Sequence, residues 1–114
     1  MRPDEATLVD LYAAARLATR FTEGYDRGAF LADPKTQAAV LHELMVIGEA
    51  AKRLSPGFRT AHQQIPWQAM AGMRDKLIHA YDAVDGEEVW KTVSADIPAL
   101  IKFLTPLLAP LDLH

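Results

Sequence analysis

The stretch "MRDKLIHAYD", Met73 to Asp82, places Arg74, Asp75, His79 and Tyr81 within one run of helical character. On a helix turning ~100° per residue, Asp75 and His79 are four apart and share a face. The carboxylate there can accept the imidazole N–H, fix the tautomer and leave the other ring nitrogen basic. Arg74 and Tyr81 are seven apart and fall within ~20° of one line, so the phenol can lie above the guanidinium. Arg74 and His79 are five apart and diverge by ~140°. A single straight helix does not aim both at one small substrate. Two copies of the helix meeting across a two-fold axis do, so a catalytic use of this pair calls for a homodimer.

These groups suit cleavage of RNA. A neutral histidine can take the proton of a ribose 2′-hydroxyl, and a second histidine can protonate the departing 5′-oxygen. Arginine offers a planar donor fork to the phosphate as charge builds on its oxygens. Such chemistry needs no metal and no cofactor. His42 and Glu43 begin no H-E-x-x-H pattern, and His62 and His114 are expected in a loop and at the terminus. The same residues also fit a solvated surface arginine and a histidine paired with the helix dipole. Spacing alone does not separate these readings.

The elements that must position them are helical. Asp4 is expected as the first N-cap, followed by Leu8, Leu11, Ala15, Ala18, Thr22 and Tyr25 at three- and four-residue spacing, with Gly24 and Gly28 marking the end. Asp33 as N-cap and Pro34 at the first helical position open a second helix, which carries Leu41, Leu44, Ile47, Ala51 and Leu54 to a stop at "SPG", Ser55 to Gly57. A loop through "FRTAHQQI" leads to a third helix opened by Pro66 and Trp67, with Met70, Met73, Leu77, Tyr81 and Val84 facing inward. Asp85 and Glu88 have capping-box spacing and start a fourth helix, which Pro98 should kink or split near Asp96. The expectation is an all-α, antiparallel four-helix bundle forming one domain over residues 1–114. Gly48, beside the small Ala50 and Ala51, reads as a close helix crossing with no room for a side chain.

Composition bounds the function. Half of the 114 residues are hydrophobic and 24% are charged, the profile of a globular chain. A net charge of -3 argues against binding nucleic acid through bulk positive charge, though a local basic groove suffices for phosphate contacts. Without cysteine, disulfides and thiolate metal sites are excluded. The start "MRPDEATLVD" carries acids where a signal peptide needs an apolar run, and no apolar stretch approaches bilayer length. The expected location is the cytoplasm, with no membrane partner.

"MRDKLIHAY" resembles the R-x4-H-x-Y motif of HepT-like proteins, a branch of the HEPN helical domains. "VIGEAAKRLSPGFR", "IPWQAMAGMRD" and "VWKTVSADIPALIKFL" are similar to that family's other blocks, in the same order and over nearly the whole chain. One position departs, with Asp75 where relatives often carry Asn. The resemblance implies the toxin of a type VII-like toxin–antitoxin system, a metal-independent endoribonuclease acting as a homodimer. It makes Arg74 and His79 the catalytic pair, with Asp75 in support. Tyr81 becomes the hydroxyl adenylylated to O-AMP-tyrosine by a minimal nucleotidyltransferase antitoxin similar to MntA, in a homodimer or larger hetero-oligomer. The added AMP would set negative phosphate and bulk beside Arg74 and block the cleft. An alternative is a non-enzymatic helical adaptor or nucleotide-binding subunit that docks a nucleotidyltransferase.

Other residues carry plainer expectations. Glu49 is placed to pair with Arg53 at i,i+4, with support of the cleft as the lesser option. Trp67 and Trp90 are expected in the core or at helix junctions rather than as base-stacking platforms. Lys52, Arg53 and Arg59 read either as a basic rim for RNA or as a solvated helix end.

Overall fold

The computed structural model describes residues 3–79 and 85–111. Those residues form helices and turns, with no strand among them. Seven α-helices follow in order: α1 (Pro3–Phe21), α2 (Arg27–Leu31), α3 (Pro34–Arg53), α4 (Pro56–Ala61), α5 (Trp67–His79), α6 (Gly86–Lys91) and α7 (Ile97–Leu108). The long segments make the expected all-α antiparallel bundle. α3 packs against both α1 and α5, and α7 lies on α1. Buried side chains from α1, α3, α5, α6 and α7 join one hydrophobic core that includes Leu11, Val40, Leu44, Leu77, Val89 and Leu104. No described helix is long and apolar enough to cross a membrane.

Helix starts follow local chemistry closely. Asp33 caps α3 by accepting the Thr36 N–H at 3.1 Å, and Pro34 occupies the first turn, where its missing N–H has no partner to lose. Asp85 caps α6 as expected, but it accepts the Glu87 N–H at 2.9 Å rather than that of Glu88. The Glu88 carboxylate pairs with Lys76 of α5 at 3.2 Å, so the expected capping box is replaced by a contact between helices.

The N-terminus differs from expectation. α1 already includes Pro3 and Asp4, and the Asp4 carboxylate accepts hydrogen bonds from the Ser55 N–H and hydroxyl, at 2.9 and 2.6 Å. The helix also ends at Phe21, before Tyr25. Thr22 turns its hydroxyl onto the Ala18 and Thr19 carbonyls, the Thr22 and Glu23 N–H groups bond three residues back, and Gly24 takes φ +78°. That tightening and left-handed residue close the helix. Tyr25 instead donates its hydroxyl to Asp33 Oδ2 at 2.6 Å. Together with Thr36, it holds the Asp33 carboxyl well below the usual carboxylate range, at about 2.

Two short helices were not expected: α2 between the first two long helices, and α4, which runs into the segment expected as loop. Asp26 caps α2. Ser55 caps α4 with Pro56 behind it, so the "SPG" that ends α3 also starts the next helix. The last helix is divided just ahead of Pro98, near Asp96 as expected. Residues Thr92–Asp96 form a π-helical segment between α6 and α7. A proline lacks the N–H and crowds the carbonyl four residues back, and a wider turn just before it removes that conflict.

Candidate active site

The site begins at the crossing of α3 and α5. Gly48 is buried on α3, and a Cβ built there would collide with the Arg74 Cβ and come to 2.8 Å from the Met70 carbonyl oxygen. Only glycine permits this approach, so the expectation of a close crossing holds. The consequence is specific, because the residue it brings against α3 is Arg74.

Around that contact, residues of α3 and α5 form a chain of ion pairs. Glu49 Oε2 lies 2.9 Å from Arg74 Nε, and Arg74 Nη1 donates to Asp75 Oδ1 at 3.1 Å. The Lys52 ammonium donates to the same Asp75 oxygen at 3.0 Å. Arg74 is 28% exposed, against 46% and 48% for the two carboxylates. Its stem is therefore confined while its charged end stays near water. The hydrogen bonds from Lys52 and then Arg74 favour the ionised form of Asp75 and hold its carboxyl below the usual range, against the opposing effect of burial.

The favoured partner of Glu49 was wrong, and the structure takes the lesser option, a place beside the motif arginine. The Glu49 carboxylate reaches across to Arg74 instead of along α3 to Arg53, and Arg53 pairs with Asp10 of α1 at 3.2 Å. The available signal was its position next to Gly48, the residue that marks the crossing. Of the three cations expected as a possible rim, the structure places Lys52 beside the Arg74–Asp75 pair. Arg59 is half-buried near Trp67 on the wall of a separate open groove.

Arg74, Asp75 and the backbone of His79 share α5. The His79 side chain, the expected Asp75–His79 hydrogen bond, and all of Tyr81 and Val84 lie outside the described residues. Asp75 is engaged on the Lys52 and Arg74 side. Met70 and Met73 are partly buried and Leu77 is fully buried, as the inward face requires.

The start of α5 is fixed by aromatic packing. Trp67 is 5% exposed and its indole N–H donates to the His62 carbonyl at 2.9 Å. Phe58, His62, Trp67 and Phe103 form successive tilted and edge-on ring contacts. Trp90 stacks at 5.4 Å on the buried Phe30. Both tryptophans serve packing, as expected.

An apolar groove of about 240 Å³ lies between α3, α5 and α7, lined by Ile47, Met70, Met73, Ile97 and Leu100 among others. Among the described residues, no group of three or more His, Cys, Asp or Glu side chains could hold a metal ion.

A family model described as "Ribonuclease HepT-like" matches residues 11–107. The chain is 50% identical over 93 residues to "Probable ribonuclease HepT" of Thermococcus cleftensis, covering 82% of this chain and 84% of that protein. It is 37% identical over 107 residues to "Putative RNase MJ0127" of Methanocaldococcus jannaschii, covering 94% and 88% of the two chains. No solved structure matches. With the family match spanning the bundle and the α3–α5 crossing alike, the chain belongs to the HepT-like ribonuclease family.

Proposed function

We propose that the protein is a metal-independent endoribonuclease acting as a symmetric homodimer in the cytoplasm, with residues 1–114 as one domain. Arg74 and His79 form its catalytic pair, and Asp75 supports them. The observation that carries this reading is the Arg74 guanidinium held by Glu49 and Asp75, on the helix that carries His79 five residues later, in a chain of a ribonuclease family.

The reaction follows from the side chains. One neutral His79 removes the proton of a ribose 2′-hydroxyl, and the 2′-oxygen attacks the adjacent phosphorus. The bond to the 5′-oxygen breaks, and the protonated His79 of the second copy supplies the proton that oxygen needs. Arg74 stabilises the charge that builds on the phosphoryl oxygens. The ends are a 2′,3′-cyclic phosphate and a 5′-hydroxyl. Each His79 finishes in the state opposite to its start, and solvent proton exchange resets the pair.

In this reading the enzyme is the toxin of a toxin–antitoxin pair. Its control is adenylylation of Tyr81 by a nucleotidyltransferase similar to MntA, which puts an anionic AMP beside Arg74 where the RNA phosphate would bind. Co-expression with the neighbouring nucleotidyltransferase, where one is encoded, followed by intact-mass measurement tests this half. Mass added in units of AMP to the wild type and not to Tyr81→Phe is expected. Unchanged modification of Tyr81→Phe removes Tyr81 as the acceptor. Growth arrest on expression of the wild type, relieved by His79→Ala, is the accompanying cellular result.

A further inference from the structure

Glu49 stands outside the residues assigned to the reaction, yet it makes the closest ion-pair contact to Arg74. Its carboxylate oxygen lies 2.9 Å from Nε, while Asp75 faces Nη1 at 3.1 Å. The two carboxylates thus meet two different nitrogens of the guanidinium. The side-chain stem is held as well, because the missing Cβ of Gly48 lets α3 close onto the Arg74 Cβ. An arginine left to itself samples many rotamers, and ordering one is entropically costly. Here the stem is confined by a helix crossing and the head by two carboxylates.

We propose that Glu49 is the positioning residue for Arg74: from α3 it anchors the Nε side of the guanidinium and so fixes its orientation toward the scissile phosphate. This rests on Arg74 being the catalytic arginine.

The sign of the electrostatics makes the idea separable from an incidental surface pair. A carboxylate near a phosphate-binding arginine repels the substrate, so on charge alone it weakens binding of RNA. A carboxylate placed there can help only through geometry, which acts on the transition state more than on the ground state. Glu49 is 46% exposed on a helix surface, and alanine is a good helix former, so Glu49→Ala should fold normally.

The experiment is steady-state cleavage of a fluorogenic RNA oligonucleotide by the full chain, comparing wild type, Glu49→Ala, Glu49→Gln and Arg74→Ala, each checked for an unchanged melting temperature. The expected result is opposite movement of the two constants. In Glu49→Ala, kcat falls roughly tenfold, the order expected for lost alignment without loss of the group itself. KM stays level or drops as the repulsive charge is removed. Glu49→Gln, which keeps the shape and an acceptor oxygen, retains an intermediate kcat. An unchanged kcat in Glu49→Ala beside an inactive Arg74→Ala overturns the role of Glu49 alone. Wild-type cleavage by Arg74→Ala removes the underlying assignment of Arg74, and the role of Glu49 with it.

Discussion

Helices α1 and α5 both pack on α3, and they bring different surfaces to the task. α1 contributes Leu8, Leu11, Ala14, Ala15 and Ala18 to the core, none more than 4% exposed. The described part of α5 contributes Trp67 and Leu77 as fully buried residues, with Met70 and Met73 only partly covered. In place of further apolar contact, α5 has the Gly48 approach and the linked pairs of Glu49, Arg74, Asp75 and Lys52. The α1 stripe is a stability element, since small and branched residues fill the seam, with Thr7 as its buried polar residue and the exposed Asp10–Arg53 pair at its edge. The α5 contact trades apolar burial for fixed charges at the surface. Polar positions there are constrained without being sealed off, which is the condition for holding a reactive group in reach of a large substrate.

Substitutions on the two sides should separate accordingly. Leu11→Ala opens a cavity in the fully buried α1 seam and should lower unfolding free energy by about 3 kcal/mol in urea denaturation, with cleavage per folded molecule unchanged. Gly48→Ala forces α3 and α5 apart. About 2 kcal/mol of overpacking strain is set against ~1 kcal/mol gained in helix propensity. A modest loss of stability, with a much larger loss of cleavage rate as Arg74 shifts, is the expected outcome. Equal losses in the two measurements would remove the distinction between the helices.

A third test concerns the corner that joins α1 to α3. The Asp33 carboxyl is depressed to about 2, first by the hydrogen bond from Tyr25 and then by those from Thr36. A group with a lowered folded-state pKa contributes stability above its ordinary value, near 4, and loses it as pH falls toward the folded value. Tyr25→Phe removes the largest cause, so the Asp33 carboxyl titration, followed by NMR, should move up toward the ordinary range. The dependence of stability on pH between about 4 and 2 should flatten with it. The smallest effect belongs to Arg53→Ala. This removes an exposed pair with Asp10 and should change stability by only a few tenths of a kcal/mol, with no change in cleavage.

How much of this was legible in sequence depends on the range of the deciding interaction. The start of α3 was, because Asp33 and Pro34 act within one turn. The end of α1 was not, because Thr22 and Tyr25 keep the apolar rhythm while hydroxyl and glycine chemistry ends the helix. α4 escaped notice because six residues are too few to show a period, and its cap Ser55 is tied to Asp4, 51 positions earlier. Pro98 correctly marked a disturbance, but its form, a widened π turn, depends on how the long helix packs. Arg74 and Asp75 were legible as motif residues, but the ion pair between them was not, since Asp75 was expected on His79. The Glu49–Arg74 pair was not legible either, because the i,i+4 rule sees only one helix and this contact is made by a tertiary crossing. Gly48 was the sequence trace of that crossing.

The central claim is that α5 carries a reacting arginine–histidine pair. Its most direct test is single-turnover cleavage of a defined RNA by His79→Ala beside wild type, in nuclease-free preparations of matched fold and oligomeric state. Loss of a general acid–base predicts a fall of about 10²–10⁴-fold in the cleavage rate, with RNA binding retained through Arg74. Cleavage by His79→Ala at the wild-type rate would contradict the claim.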